Sequence, residues 1–444
     1  MKRFWKCPIS RLRHARTRTR TISQAQESTL PPEVIIMIFQ YLSPGSSLLD
    51  ECISHQGNLA STILVCRTWY HYGVARLYSR PIVYLFAVDL LLRALRRRGD
   101  LSSYVRTIVL MIPRLDPRRP KAPSRYVRDF CSILRTVPSI KALALRPLPN
   151  PDDPDSRYLP RGAFLGMTLQ PHQLQNLRRF VFDGLALSPD SLFHPSDTPA
   201  AVVVVLPLLE ELSVIHVALA NSFVWPTCPS LIRLQLKFCR FVDRNIVFRP
   251  PVSALKQIDI DESWSDENDA DISVSLYPFA STLEVLHLDT GLFHREIHLV
   301  DYTRLTSLKH LSLFLNELSY SSSVPPLPPT VARIPNLESL VITCIWALDS
   351  SFSPWSVIEY LISLLRSGKR VFEALRVLVV QGESRVWRAG PGWEERASLL
   401  RGICGGRGID LTLREYSFNE PHRGPPDVHP SCQVLGLEGL LEDC

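Results

Sequence analysis

Side chains able to do covalent or metal chemistry occur in this chain, but not at spacings that let them act together. The ten cysteines are scattered with no C-x-x-C pair, which removes the ordinary spacing for a zinc site. There is no H-E-x-x-H, no G-x-S-x-G, no phosphate loop ending in G-K-[ST] and no dinucleotide fingerprint. Gly405-Gly406-Arg407-Gly408 is a glycine cluster without the spacing for phosphate, and reads as a turn before a final strand. His287 and His310 fall at or beside exposed strand positions, with no carboxylate or cysteine at a set distance to make a metal set or an acid–base pair. No catalytic residue, metal or cofactor is expected, and no small-molecule substrate. What the residue types do support is noncovalent. The chain carries short helices with more apolar surface than they can bury, and leucines spaced as in stacked strands.

The helices come first. Leu30-Pro31-Pro32-Glu33 opens with prolines suited to a helix start and an acid in the first turn, where the dipole favours it. Val34, Ile35, Ile38, Phe39 and Leu42 follow at helical spacing, and Ser43-Pro44-Gly45 stops the run. A second short helix is expected over Leu59 to Tyr70, apolar on nearly every face. So small a unit leaves much of its surface outside, and some of that surface is available to a partner.

These residues resemble an F-box. The likeness rests on Leu30, Pro31 and Glu33, on Ile38-Phe39 with Leu42, on Leu64-Val65-Cys66-Arg67 with Trp69, and on Tyr78 with Arg80-Pro81-Ile82. It spans residues 28–82, with one departure, a connection from Ser43 to Asn58 several residues longer than usual. The resemblance implies docking on a Skp-type adaptor, and through it a cullin. Leu30, Pro31, Ile35, Ile38, Leu42, Leu64, Val65 and Trp69 are then the adaptor contact or its immediate support, several of them partly exposed in the isolated chain.

Behind this segment, Leu85 to Arg98 reads as an amphipathic helix ending in basic residues before Gly99. Then a unit of the form apolar-x-x-apolar-x-apolar recurs, from Val105/Ile108/Leu110 to Leu375/Leu378/Val380, with Leu411/Leu413 as a truncated last copy. Leu308 to Leu318 carries the Asn form of the leucine-rich-repeat pattern, and Leu231 to Phe241 the Cys form. The alternating end of each unit is a strand sending every second side chain to a core. The Asn or Cys turns inward to hydrogen-bond the following bend. One unit alone leaves its apolar side uncovered, so neighbours must stack. The starts run from as close as Leu209 and Leu231 to as far apart as Leu337 and Leu375, wider than the ~20–29 residues of regular repeats.

The expected fold is α/β. A small helical F-box over 28–82 precedes an irregular leucine-rich-repeat solenoid over 83–420, with a parallel sheet on its concave side. Convex helices are expected at Tyr126 to Thr136 and Val357 to Arg366. Between the inward leucines, Gln235, Lys237, Asp259, His287, Ser312, Phe314 and Val341 line the concave sheet, either as a face for a target protein or as exposed strand residues with no partner.

Charge and composition bound the rest. Hydrophobic residues make up 45% and charged residues 21%, ordinary for a globular chain. No apolar run approaches the ~18 residues of a membrane span. The cysteines read as reduced thiols of the cytosol or nucleus. Eight Lys and Arg residues from Lys2 to Arg20 precede the first acid, Glu27, and exceed the whole formal charge of +7. The body is therefore near neutral, which argues against a nucleic-acid groove. The arm over 1–27 reads as solvated and disordered, as a nuclear address or polyanion contact, or as a mitochondrial leader. Pro147 to Pro160, Ser188 to Pro199 and Ser321 to Pro329 are breakers between repeats. The acidic run Asp259 to Asp271 reads as a solvated loop or a site for a basic segment. In the tail over 421–444, Leu435 to Leu441 is a candidate cap for the last repeat. An F-box followed by leucine-rich repeats resembles the substrate-recruiting subunit of an SCF (Skp–cullin–F-box) ubiquitin ligase, which implies a non-catalytic role. Two alternatives remain open: a scaffold that holds the adaptor without ubiquitylating anything, and a nucleic-acid-associated protein acting through the arm.

Overall fold

The computed structural model describes residues 30–41, 49–112, 124–147, 174–184, 205–219, 225–241, 255–261, 264–265, 276–289, 297, 300–316, 326–345, 355–367, 371–383 and 392–416. The basic arm, Leu42, most of the acidic run and the tail lie outside the described residues.

Three helices open the chain: α1 (Pro32–Tyr41), α2 (Leu49–Thr62) and α3 (Arg67–Ser79). The carbonyl of Pro31 accepts from the N–H groups of Val34 and Ile35 at 3.0 and 3.2 Å, satisfying donors that a helix start leaves free. The second helix differs from expectation. It starts at Leu49, well before Leu59, and ends at Thr62, so part of the long connection is itself helical. Ile63 to Cys66 form a turn, and Cys66 adopts extended backbone (φ −155°, ψ 175°) ahead of α3. Leu64 and Val65 thus sit on a bend instead of a helical face.

The repeat units become strands of one parallel sheet. Its members are β1 (Ile82–Tyr84), β2 (Thr107–Ile112), β3 (Ala142–Pro147), β4 (Arg179–Asp183), β5 (Glu211–Ile215), β7 (Arg233–Lys237), β9 (Gln257–Asp261), β11 (Val285–Asp289), β12 (His310–Asn316), β13 (Ser339–Ile345), β14 (Val377–Glu383) and β15 (Asp410–Tyr416). They stand side by side in chain order. Register holds from strand to strand: Leu212 pairs with Leu234, Leu234 with Ile258, Ile258 with Leu286, and Leu286 with Leu311. β1 precedes the first repeat unit, and the apolar spacing gave no sign of it. Three two-residue strands, β6 (Ala218–Leu219), β8 (Arg240–Phe241) and β10 (Trp264–Ser265), make a small second parallel sheet just past β5, β7 and β9.

Among the described residues, helices occupy four of the connections between strands: α4 (Val88–Arg97), α5 (Ser124–Thr136), α6 (Trp355–Arg366) and α7 (Trp393–Gly406). In the closer-spaced units only single 3₁₀ turns are found among the described residues, at Tyr277–Phe279, Tyr302–Arg304 and Val331–Arg333. The inward leucines, these helices and the turns form one continuous core. Gly405 and Gly406 close α7, and a turn at Arg407 and Gly408 (φ 71°) leads into β15.

Two side-chain devices hold the stack together. A small polar residue stands just before the first apolar residue of six units, and its side chain donates to a carbonyl of the unit before. The distances are 3.2 Å for Ser139 to Val105, 3.0 Å for Asn176 to Pro138, 2.7 Å for Ser230 to Pro207, 2.9 Å for Thr282 to Leu255, 2.7 Å for Ser307 to Ser281 and 2.7 Å for Asn336 to Thr306. At the other end, Cys239 is fully buried and its Sγ donates to the carbonyls of Val214 and Lys237, 3.4 Å each. Burial pushes that thiol up to about 12, so it stays protonated and able to donate.

α3 belongs to both parts of the molecule. Trp69, Tyr72 and Leu77 pack on a small core of Ile35, Phe39, Leu59 and Ile63, while Val74 and Tyr78 enter the core of the sheet. The chain then runs directly into β1. The carbonyls of Ser79 and Pro81 accept from the N–H groups of Arg106 and Val109 at 2.9 and 3.1 Å. Arg98, at the end of α4, donates to the Tyr70 hydroxyl and pairs with Asp100 at 2.5 Å.

Candidate functional site

The small helical core is built around Phe39. Its ring meets Trp69 edge-on, centroids 5.9 Å apart at 68°, an arrangement aromatic pairs favour. Ile35 and Phe39 are each 1% exposed. Gly73 allows the approach of α3: a Cβ built there lies 2.6 Å from two Phe39 ring carbons and also meets Ile63.

Several other apolar side chains of the segment point outward. Leu30, Ile36, Met37, Leu64 and Val65 are exposed, Met37 at 58% and Val65 at 67%, and Pro31 is exposed beside them in the chain. Exposed large apolar side chains occur elsewhere too, at Phe86, Leu90 and Val205 among others, but those of this segment lie on one small helical unit and are the candidates for contact with another protein. Among the residues expected to serve the adaptor, Leu30, Pro31, Leu64 and Val65 are therefore accessible. Ile38 and Trp69 are half-buried. Ile35 is interior because it occupies the same helix face as Phe39, so it supports the surface without forming it. Leu42 lies outside the described residues. Ile36 and Met37 were not anticipated. The signal was present, since the unbroken apolar run from Val34 to Phe39 exceeds what one face of a two-turn helix can bury.

The other set of expected residues falls on the sheet face opposite the core. Register places Gln235, Asp259, His287, Ser312 and Val341 in a single rank across β7, β9, β11, β12 and β13. Lys237 and Phe314 lie one rank along. Gln235, Lys237, His287, Ser312 and Phe314 are half-buried, but Asp259 and Val341 are buried and do not offer an open surface. Asp259 is covered by its own partners: Arg233 reaches it at 2.8 and 2.9 Å, and the Gln257 amide donates to both its oxygens at 3.1 Å. Val341 pairs in register with Val379, itself buried, so that end of the rank is apolar and closed.

Charges on this face are largely matched within it. Arg179 pairs with Glu211 at 2.7 Å and Lys237 with Asp261 at 2.6 Å. Burial raises the Glu211 carboxyl above its ordinary range, against the pull of Arg179 and Arg233. Burial also lowers the His287 imidazole, outweighing Asp259 and Asp261. Beside β4, His216 (φ 52°) sets its Nδ1 3.2 Å from the Asp183 carboxylate and stacks on Phe238 (φ 50°). Among the described residues no three His, Cys, Asp or Glu side chains are grouped to hold a metal ion, and no helix is long and apolar enough to cross a membrane.

Comparison with known proteins bears on the helical segment alone. No curated protein and no solved structure matches the chain. The family model described as F-box-like matches residues 28–82, the segment that contains α1, α2 and α3 and ends at the first residue of β1. The chain thus carries an F-box-like domain, a unit of protein–protein interaction that binds Skp-type adaptors.

Proposed function

We propose that this chain is the substrate-recognition subunit of an SCF (Skp–cullin–F-box) ubiquitin ligase. The F-box-like domain docks on the Skp-type adaptor, and the twelve-stranded sheet, read as an irregular leucine-rich-repeat solenoid, recruits a target protein. The role is non-catalytic: holding target and ubiquitin-charged enzyme in one assembly raises their effective concentration. The observation that carries this reading is the set of exposed apolar side chains Leu30, Pro31, Ile36, Met37, Leu64 and Val65 on the matched segment, which no core among the described residues uses. The rank containing Gln235, His287 and Ser312 is the part of the sheet face offered to the target.

The test is affinity purification of the intact chain beside a Leu64→Asp/Val65→Asp variant and a Leu30→Ala/Pro31→Ala variant. Because these side chains are exposed, melting should not change. Adaptor and cullin should be lost together, as expected when buried apolar anchors worth ~2 kcal/mol or more are removed. Adaptor recovered equally with all three chains would refute the docking surface. Adaptor without cullin from the intact chain would favour a scaffold over a ligase.

A further inference from the structure

The large sheet ends differently on its two sides. β1 is three residues long, and the N–H of Ile82 is held by the Gln56 side-chain oxygen at 3.2 Å. β15 is seven residues long and pairs with β14 along its whole length. No strand among the described residues pairs with its far side. The N–H of Asp410 points towards β14, donating to the Arg376 carbonyl at 2.7 Å. Alternation therefore turns the N–H and C=O of Leu411 and Leu413 outward. The core is open at the same place. Leu411 and Leu413 are half-exposed, whereas Leu378 and Val380, their neighbours in register, are 1% exposed. A long edge that no described strand covers, beside open apolar surface, is a template for another strand.

The order of residues on this edge selects the strand. We propose that a second copy of this chain docks on β15 in antiparallel fashion, about a two-fold axis through Thr412. In that register Leu411 faces Leu413 of the second copy as a hydrogen-bonded pair, using the outward backbone groups of both. Asp410 faces Arg414 of the second copy at a non-hydrogen-bonded position, where side chains approach most closely. Neither Asp410 nor Arg414 has an ion-pair partner among the described residues. Two-fold symmetry makes every contact twice, giving two opposite-charge pairs and two leucine pairs that close both open cores. A register centred on Leu413 instead matches no opposite charges. This interface is independent of the adaptor reading and lies at the far end of the sheet from the F-box-like domain.

The experiment is sedimentation equilibrium of the full chain over a range of concentrations, expected to reach twice the 50.4 kDa of one chain. Arg414→Asp and Asp410→Arg, made singly, each oppose like charges twice and should weaken the dimer about tenfold. The double exchange Asp410→Arg/Arg414→Asp restores the match and should restore the dimer, all variants melting like the parent. Three results would overturn the proposal: a monomer at every concentration, a dimer indifferent to the single reversals, or a dimer that forms only once residues 417–444 are removed.

Discussion

Replacing Gly73 with alanine tests how the F-box-like domain is assembled. Gly73 sits inside α3, where alanine would ordinarily be the better helix former by up to ~1 kcal/mol. Here the added methyl lands 2.6 Å from Cε1 and Cζ of Phe39 and against Ile63, well inside ordinary carbon–carbon contact of ~3.5–4.0 Å. Phe39 has no room to yield, being 1% exposed and braced by Trp69. Overpacking of this kind costs ~1–3 kcal/mol. Two clashes on a closed ring and a third on Ile63 place it near the top of that range, for a net loss of about 2 kcal/mol once helix propensity is offset. Gly402 provides the control: it too is inside a helix, α7, and a methyl there meets nothing within 4 Å, so Gly402→Ala should stabilise by up to ~1 kcal/mol. Hydrogen exchange followed by mass spectrometry reads both, as faster exchange over α1 and α3 in the first variant and slower exchange over α7 in the second. Equal protection of α1 and α3 in Gly73→Ala and in the parent would show that the packing of Phe39 against α3 is wrong.

The remaining predictions concern the sheet. The Tyr302 hydroxyl is buried and has no hydrogen-bond partner among the described residues, so Tyr302→Phe should raise the melting temperature, by an amount equivalent to about 1 kcal/mol; a lower melting temperature would mean the hydroxyl is satisfied. Lys309 and Lys256 hold the Glu284 carboxyl below its ordinary value. A carboxyl lowered in the folded state stabilises it above the unfolded value and ceases to do so as pH falls through the folded one. Lys309→Ala should therefore raise the Glu284 titration, read by carbon NMR of its carboxyl, and flatten the acid limb of the stability profile; an unmoved titration would exclude the pair.

Legibility in the sequence followed how local each determinant was. The strands were readable because burial alternates at every second residue, and pairs such as Leu212 with Leu234 are the residues the spacing aligns. α4, α5 and α6 were readable from periodicity. The break at Ile63 to Cys66 was not, because an apolar residue looks the same in a helix and in a turn held by tertiary contacts. β1 was missed because three residues carry too little alternation to register. Asp259 was read as open by its position on the strand, yet Arg233 and Gln257 on β7 and β9 fold over it, a fact set by neighbouring side chains and not by its own spacing. The ladder from Ser139 to Asn336 consists of small polar residues just before the first apolar residue of six units, and its meaning required knowing which carbonyl lay next door.

The helix that serves two interiors at once leaves no swivel between the front of the molecule and the sheet. Its Trp69 side is locked to Phe39, its Val74 side to the larger core, and its end is bonded through Ser79 and Pro81 to β2. Whatever grips the front therefore also aims the sheet, like a tool brazed to its handle. On the ligase reading proposed above, a target held by the sheet would meet the ubiquitin-charged enzyme in one pose, and the choice of which of its lysines is reached would be made by the target's own shape.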